Sequence, residues 1–400
     1  MTARLYYDDA QLLTFDATVT ACDTHGDAVH ITLDRTAFYP TSGGQPFDTG
    51  TLTPDGGAAM AVKDVIDDEA TGEIRHVAAG PIAPGTRVRG EINALRRRDH
   101  MQQHTGQHIL SAAFEQIVQA RTVSFHMGAE TSTIDLHREL TPGDITLGEG
   151  AANQCVLRDL EVRVRYASAE EAAALPLRKE STRTGTLRLV EVPGFDLSAC
   201  GGTHVPRTGM IGSILITGWE RFKGGSRVSF VCGLRALTAF AALRHVTQEA
   251  ARALSLGVPE IPEAVSRLQG QIKDQQKVIR ELQEQVTARL AEELRASAVV
   301  GNNGTRIVVR AQAGWDANAI KFLASAIVSS PGFVVVIVGD GSPAPVVVAR
   351  SSDVAFDAGA WMKAATSDLG GRGGGRPELA QGGVAAPVAD ILARATATLG

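Results

Sequence analysis

The chain has 400 residues, 44% hydrophobic and 21% charged, with a formal net charge of -5 at pH 7. These values exclude a disordered or fibrous chain, leave room for two or three globular domains, and argue against nucleic-acid binding by bulk positive charge, so that only local basic patches could serve it. Four widely separated cysteines, Cys22, Cys155, Cys200 and Cys232, suggest no disulfide framework and fit a reducing cytoplasm.

The N-terminus MTARLYYDDAQLL has neither a basic region nor an apolar core, and no run approaches about 18 apolar residues, so a cytoplasmic protein without membrane contact is expected. Residues 1 to about 90 alternate apolar and polar side chains in short stretches such as AVHITLD and AMAVKDVI, broken by glycine, proline and aspartate. This predicts a small antiparallel barrel or sandwich. Within it FYPTSGGQ is too rich in glycine and proline for a central strand. Gly43, Gly44 and Gln45 mark either a plain turn or a loop whose backbone approaches a ligand.

From Glu91 to Gln119 the period becomes helical, with Met101, Ile109, Leu110, Ala113, Phe114 and Ile117 as its apolar set. Arg96, Arg97 and Arg98 stand in a row at its start, as a solvated face or as phosphate contacts. His104 and His108 in HTGQH lie one helical turn apart on one face, so both imidazoles can reach one ion. Strand-like TSTIDLH, EVRVRYA, TLRLVEV, GSILITGWE and RVSFVCG follow, with a helical stretch around residues 147 to 160. A helix across an antiparallel sheet is the simplest assembly.

Before the fourth of those strands comes CGGTH, in which Gly201 and Gly202 let Cys200 and His204 converge without a regular helix. Three imidazole nitrogens and one thiolate suit a tetrahedral zinc ion, one per chain. Gln107, not a glutamate, precedes His108, so the pattern is not the HExxH of the common metalloproteases.

Beyond Pro262, Val265, Leu268, Ile272, Gln275, Ile279, Leu282 and Val286 follow a heptad seam. A helix from there to Ala296 would extend roughly 50 Å, and its polar flanks predict pairing with a second chain or a return onto its own domain. After Gly301, strand and helix alternate as in a compact α/β unit. The run GGRGGGRP lies inside that unit, either as a linker or as backbone amides beside Arg372 and Arg376 suited to a phosphate or ribose backbone. The expected architecture is α+β: an N-terminal small β-barrel (1–90), an α+β zinc-containing domain (91–250), a long coiled helix (251–298) and a C-terminal glycine-rich α/β domain (299–400).

The series FYPTSGGQPFDTG, RRRDHMQQHTGQH, TVSFHMG, CGGTHV and ERFKGGSRVSFVCG resembles the editing half of alanyl-tRNA synthetase and its free-standing relatives, the AlaX proteins. GRPELAQGG after a coiled helix is similar to the C-terminal domain of alanyl-tRNA synthetase. No part resembles the aminoacylation domain, so the resemblance is to a long-form, stand-alone editing protein. It implies trans-editing: zinc-dependent hydrolysis of the ester joining serine or glycine to tRNA for alanine, in the cytoplasm, by a homodimer paired through the coiled helix and C-terminal domain.

By motif, the resemblance makes His104, His108, Cys200 and His204 the zinc ligands. It places Thr122, Ser124 and His126 in the pocket as candidate catalytic and hydroxyl-recognising residues, and Gly43, Gly44, Gln45 and Thr105 beside the substrate. Arg96, Arg97, Arg98, Arg372 and Arg376 become candidate tRNA contacts. HTGQH has glycine where relatives often have alanine, which loosens a helix by up to about 1 kcal/mol. Two alternatives stand beside this reading: editing of another aminoacyl-tRNA, such as seryl-tRNA for threonine, and a non-catalytic tRNA-binding protein with a structural zinc.

Overall fold

In the segment Arg87–Ile92 every second residue, Val88, Gly90 and Ile92, is buried while Arg87, Arg89 and Glu91 face solvent, and this period-two pattern closes the N-terminal strands into a barrel. A computed structural model describes residues 1–25, 28–179, 185–301 and 303–400. Its first strands are β1 (Ala3–Arg4), β2 (Thr14–His25), β3 (Ala28–Leu33), β4 (Arg35–Thr36), β5 (Gly50–Pro54), β6 (Met60–Asp68), β7 (Glu73–Ala78) and β8 (Arg87–Ile92). The closed ring runs β2-β3-β7-β6-β5-β8, and β1 pairs with β4. Phe15, Val19, Ile31, Leu52, Val65 and Ile74 belong to its core. Position 90 must be glycine, because a Cβ there would stand 2.3 Å from the Phe15 ring. His76 is fully buried in the barrel, with Nε2 2.8 Å from Thr36 Oγ1 and Nδ1 2.9 Å from the Ile31 carbonyl.

The chain then enters α1 (Ala94–Val118), capped by Asn93, whose side chain accepts from the Arg96 N–H. There follow β9 (Thr122–Met127), β10 (Ser132–Leu136), α2 (Pro142–Leu157), β11 (Arg163–Ala167), α3 (Ala169–Ala173), β12 (Leu187–Val192), β13 (Asp196–Ala199), β14 (Ile214–Phe222) and β15 (Gly225–Cys232). The strands make a four-stranded sheet, β14-β15-β10-β9, and a three-stranded sheet, β11-β12-β13. Ile109, Leu110 and Phe114 of α1 share one core with Ile134, Val228, Phe230 and Cys232 of the larger sheet. Gly106 explains the glycine inside HTGQH: a Cβ there would lie 2.3 Å from Cys232 Sγ, so glycine lets α1 approach β15.

Residues Met1–Ala250 form one compact unit and Ala251–Gly400 a second; α4 (Leu234–Leu254) runs through the boundary. In the second unit α5 (Ile261–Ala296) carries Pro262 in its first turn, where the missing N–H costs no hydrogen bond. Its seam residues Val265, Leu268, Ile272, Ile279, Leu282 and Val286 are all exposed. After it come β16 (Val299–Val300), β17 (Arg306–Gln312), α6 (Ala317–Val328), β18 (Phe333–Gly339), β19 (Ala344–Arg350), α7 (Ala358–Leu369), β20 (Gly371–Gly375), β21 (Leu379–Val384) and α8 (Val388–Leu399). The six strands are ordered β16-β17-β18-β19-β21-β20, with β17 and β18 parallel and α6 as their crossover.

The glycine run departs from the expectation of a linker or an open amide loop: it is β20, an edge strand paired with β21. Glycine weakens a strand and marks close backbone approach, and here the approach is visible. A Cβ on Gly373 would stand 2.9 Å from both Gly382 Cα and Met362 Cγ, so the two strands and α7 close together only without side chains there. Among the described residues no helix is long and apolar enough to cross a membrane.

Candidate metal centre

Helical spacing on α1 turns His104 and His108 to one side, and both are almost fully buried. The chain leaving β13 brings Cys200 and His204 against them. Cys200 Sγ lies 3.3 Å from His104 Nε2 and 3.3 Å from His204 Nε2, and the ligand atoms of all four residues fall within 4.8 Å of one another. Gly202 makes this convergence possible, since a Cβ there would stand 2.1 Å from His104 Cε1. Arg188, buried on β12, holds the loop by donating from Nη1 to the carbonyls of Cys200 at 2.8 Å and Gly202 at 3.0 Å.

Each imidazole is oriented from behind by an oxygen. Gln45 Oε1 lies 2.8 Å from His104 Nδ1, Asp196 Oδ2 2.9 Å from His108 Nδ1, and Thr105 Oγ1 3.2 Å from His204 Nδ1. These oxygens accept from Nδ1–H, which fixes the tautomer and leaves the Nε2 lone pairs for the centre. Asp196 is in turn held by Arg178 at 2.7 Å and by the Ser198 hydroxyl at 3.1 Å.

The electrostatics suit a cation. Burial works against a charged Cys200, but the surrounding imidazoles of His104, His204 and His108 outweigh it and hold the thiol well below its usual range, as thiolate. Burial lowers His204 to about 3, leaving it neutral. Burial also opposes charge on His108, yet the Cys200 thiolate and Asp196 raise it to about 9, so its Nε2 carries a proton beside the thiolate that an entering cation would displace. A half-buried thiolate beside three buried imidazoles, each with an oxygen behind its Nδ1, is the donor set of a zinc site. Residue types and geometry therefore fit that ion.

The glycine motif reaches the same place. Ser42 and Gln45 exchange backbone hydrogen bonds across Gly43 and Gly44, whose φ angles of 57° and 84° are left-handed conformations that favour glycine. Gly44 rests on Phe125, where a Cβ would approach the ring to 3.2 Å, and the Phe125 ring centroid is 5.7 Å from that of His104. Gln45 is fully buried on His104, and Thr105 supports His204 and accepts from the Val205 N–H. Both therefore stand behind histidines of the cluster and not in an open pocket.

Of the three polar residues expected in the pocket, only Thr122 turns toward α1, donating to Ser111 Oγ at 2.8 Å, which also accepts from Gln107. Ser124 and His126 pair with Asp135 and Thr133, while Phe125 pairs with the core residue Ile134. Strand alternation thus puts Ser124 and His126 on the opposite face of the sheet, and Ser124 donates to Asp135, which pairs with Arg227. Phe125, Asp196, Arg178 and Arg188 were not singled out from the sequence. The usable signal was alternation: Asp196 and Ser198 are the buried positions of β13. His100, one turn before His104, is also buried, with Nδ1 unpaired.

The arginine triplet separates. Arg97 is fully buried and pairs with Asp48, Nη2 to Oδ2 at 2.5 Å, with further donation to the carbonyls of Ala10 and Ala37. This corrects its reading as a tRNA contact: the helical turn that exposes Arg98 drives Arg97 into the barrel side of α1. Arg96 is half-buried and donates to the Phe47 carbonyl, whereas Arg98, Arg372 and Arg376 are exposed.

Three family models match in chain order: tRNA synthetases class II (A) over residues 2–96, Threonyl and Alanyl tRNA synthetase second additional domain over 187–229, and DHHA1 domain over 303–399. The alanine–tRNA ligase of Natronomonas pharaonis is 35% identical over 395 residues, covering 96% of this chain and 42% of its own length. That of Halobacterium salinarum is 36% identical over 417 residues, covering 100% of this chain and 44% of its own. The chain carries alanyl-tRNA synthetase-like domains. It spans 42% to 44% of the length of these two relatives. A solved structure of the C-Ala domain from Aquifex aeolicus alanyl-tRNA synthetase matches 25% of the chain and 90% of its own at 24% identity, with a TM-score of 0.23. The class II match covers the barrel.

Proposed function

We propose that this chain is an aminoacyl-tRNA deacylase that clears serine, and also glycine, from tRNA for alanine, with one zinc ion held by His104, His108, Cys200 and His204. The observation that carries the reading is the juxtaposition of the four-donor cluster with the Gly43–Gly44 turn and Phe125, in a chain similar along its length to alanine–tRNA ligases. When bound, zinc supplies a Lewis-acidic centre beside the ester.

The chain's own residues supply the rest. Cys200 is the ligand with appreciable exposure, so the aminoacyl end approaches from its side while the buried histidines stay fixed. The left-handed turn at Gly43 and Gly44 lets backbone, without side chains, come close to that end. Thr122, tied to Ser111 and Gln107, is our candidate for pairing the serine hydroxyl. A site built to pair a hydroxyl discriminates strongly against an analogue lacking it, which separates serine from alanine. Arg98, Arg372 and Arg376 contact the tRNA backbone, and the exposed seam of α5 pairs two chains.

The test is deacylation of seryl-, glycyl- and alanyl-tRNA for alanine and seryl-tRNA for threonine by wild type and Cys200→Ala. Hydrolysis of the first two, sparing of alanyl-tRNA and loss with Cys200→Ala are expected. Equal hydrolysis of alanyl-tRNA would overturn the specificity, preference for the threonine tRNA would favour the related editing activity, and unchanged hydrolysis after zinc loss would overturn the metal's role. Sedimentation of Leu282→Asp, expected as monomer against a wild-type dimer, tests the pairing.

A further inference from the structure

We propose that Gln45 is a positioning residue for the metal centre, and that through it the barrel loop and the bound metal stabilise one another. The inference rests on the metal-binding part of the proposed function and is independent of the reaction. The other two orienting groups come from the elements that carry the ligands: Thr105 from α1, and Asp196 from β13, which leads into CGGTH. Gln45 comes from the loop between β4 and β5, in the barrel.

Its carboxamide is engaged at both ends. Oε1 accepts from His104 Nδ1–H at 2.8 Å and from the Thr203 N–H at 3.1 Å, and Nε2 donates to Thr203 Oγ1 at 2.8 Å. The backbone N–H of Thr203 fixes which end of the amide is oxygen. Facing that oxygen, His104 must carry its proton on Nδ1 and present Nε2 to the centre. The surrounding chain is shaped for this contact: at Gly202 a Cβ would meet His104 at 2.1 Å and Gln45 Oε1 at 3.0 Å.

The turn that delivers Gln45 has two left-handed glycines, one resting on Phe125; the Thr41 N–H to the Val65 carbonyl and the Tyr39 hydroxyl to the Ser42 carbonyl tie it to the barrel, and the Gln45 side chain ties it to His104. A metal that immobilises His104 therefore also immobilises Gln45 and the loop around it. By linkage, whatever orders the loop strengthens metal binding by the same factor. The residues of SGGQ then have distinct tasks: two glycines shape the turn and the glutamine locks it to a ligand.

The experiment uses the full chain as wild type, Gln45→Ala and Gln45→Glu. Zinc affinity is read by competition with a chromophoric chelator, ligand geometry by the absorption of the cobalt-substituted protein, and loop order by hydrogen exchange over residues 41–48 with and without zinc. Gln45→Ala should lose about 10- to 100-fold in zinc affinity, and Gln45→Glu, which restores an acceptor oxygen, should recover most of it. In wild type, zinc should slow exchange over 41–48; in zinc-saturated Gln45→Ala that slowing should be absent, while α1 remains protected.

Unchanged affinity in Gln45→Ala, or wild-type loop exchange indifferent to zinc, would overturn the proposal. Should Gln45→Ala fail to fold, Gln45→Glu and the wild-type exchange still decide it. A wild type that binds no zinc would overturn this proposal and the metal reading together. Absent deacylation with the metal results intact would overturn only the proposed reaction.

Discussion

Replacing Arg97 by methionine should destabilise the first unit strongly and leave the salt dependence of tRNA binding unchanged. The substitution removes the three hydrogen bonds to Asp48 and the donors to the carbonyls of Ala10 and Ala37, leaving a carboxylate of zero exposure without its cation. Breaking a buried pair by removing one partner costs about 3–5 kcal/mol, because the remaining charge stays desolvated. A phosphate-contacting arginine behaves differently: its loss costs little stability and lowers the salt slope of binding by about 1. The two units need not unfold together, so the informative assay is native-state hydrogen exchange of the α1 amides, in the single variants Arg97→Met and Asp48→Asn and in the double variant. The double variant should cost less than the sum of the singles by about 2 kcal/mol. A cost for Arg97→Met below about 1 kcal/mol, with a reduced salt slope, would refute the buried-pair reasoning.

Gly106→Ala should lower the melting temperature although alanine favours a helix by about 1 kcal/mol, because its Cβ would meet Cys232 Sγ at 2.3 Å; adding Cys232→Ala should restore it, and a melting temperature raised by the single change would contradict the packing. Burial lowers His76 to about 4 from 6.5, so between those values the unfolded chain binds the extra proton and stability falls as pH drops through the window. The loss amounts to about 3 kcal/mol, and His76→Gln should show a correspondingly shallower decline in urea-unfolding measurements of the metal-free protein; equal slopes would count against it. Ser124→Ala and His126→Ala, on the sheet face away from the centre, should leave zinc affinity and seryl-tRNA hydrolysis within a few-fold of wild type, whereas Thr122→Val should reduce discrimination between seryl- and alanyl-tRNA.

The parts of this protein set by local periodicity could be read from the sequence by itself. Alternation announced the barrel strands, the heptad seam announced a helix ending at Ala296, and helical spacing paired His104 with His108 before any fold was known. CGGTH completed the donor set because ligand chemistry depends on residue type, which the sequence states directly. The helix α4 and the glycine strand β20 went unread: the first lacks a strong start signal, and no local propensity favours a strand of glycines. Only packing against β21 and Met362 makes it one. Tertiary structure alone decided which atoms stand behind the ligands and which polar residues turn away. Gln45, Asp196 and Thr105 reach the three imidazoles, all across long stretches of chain, and the phase of one strand turns Phe125, not Ser124, toward the centre. Arg97 differs from its exposed neighbour Arg98 only by one step around α1, but that step ends in a buried carboxylate. Residue type and spacing thus identified the donors, whereas orientation and burial depend on which distant backbone closes over each side chain.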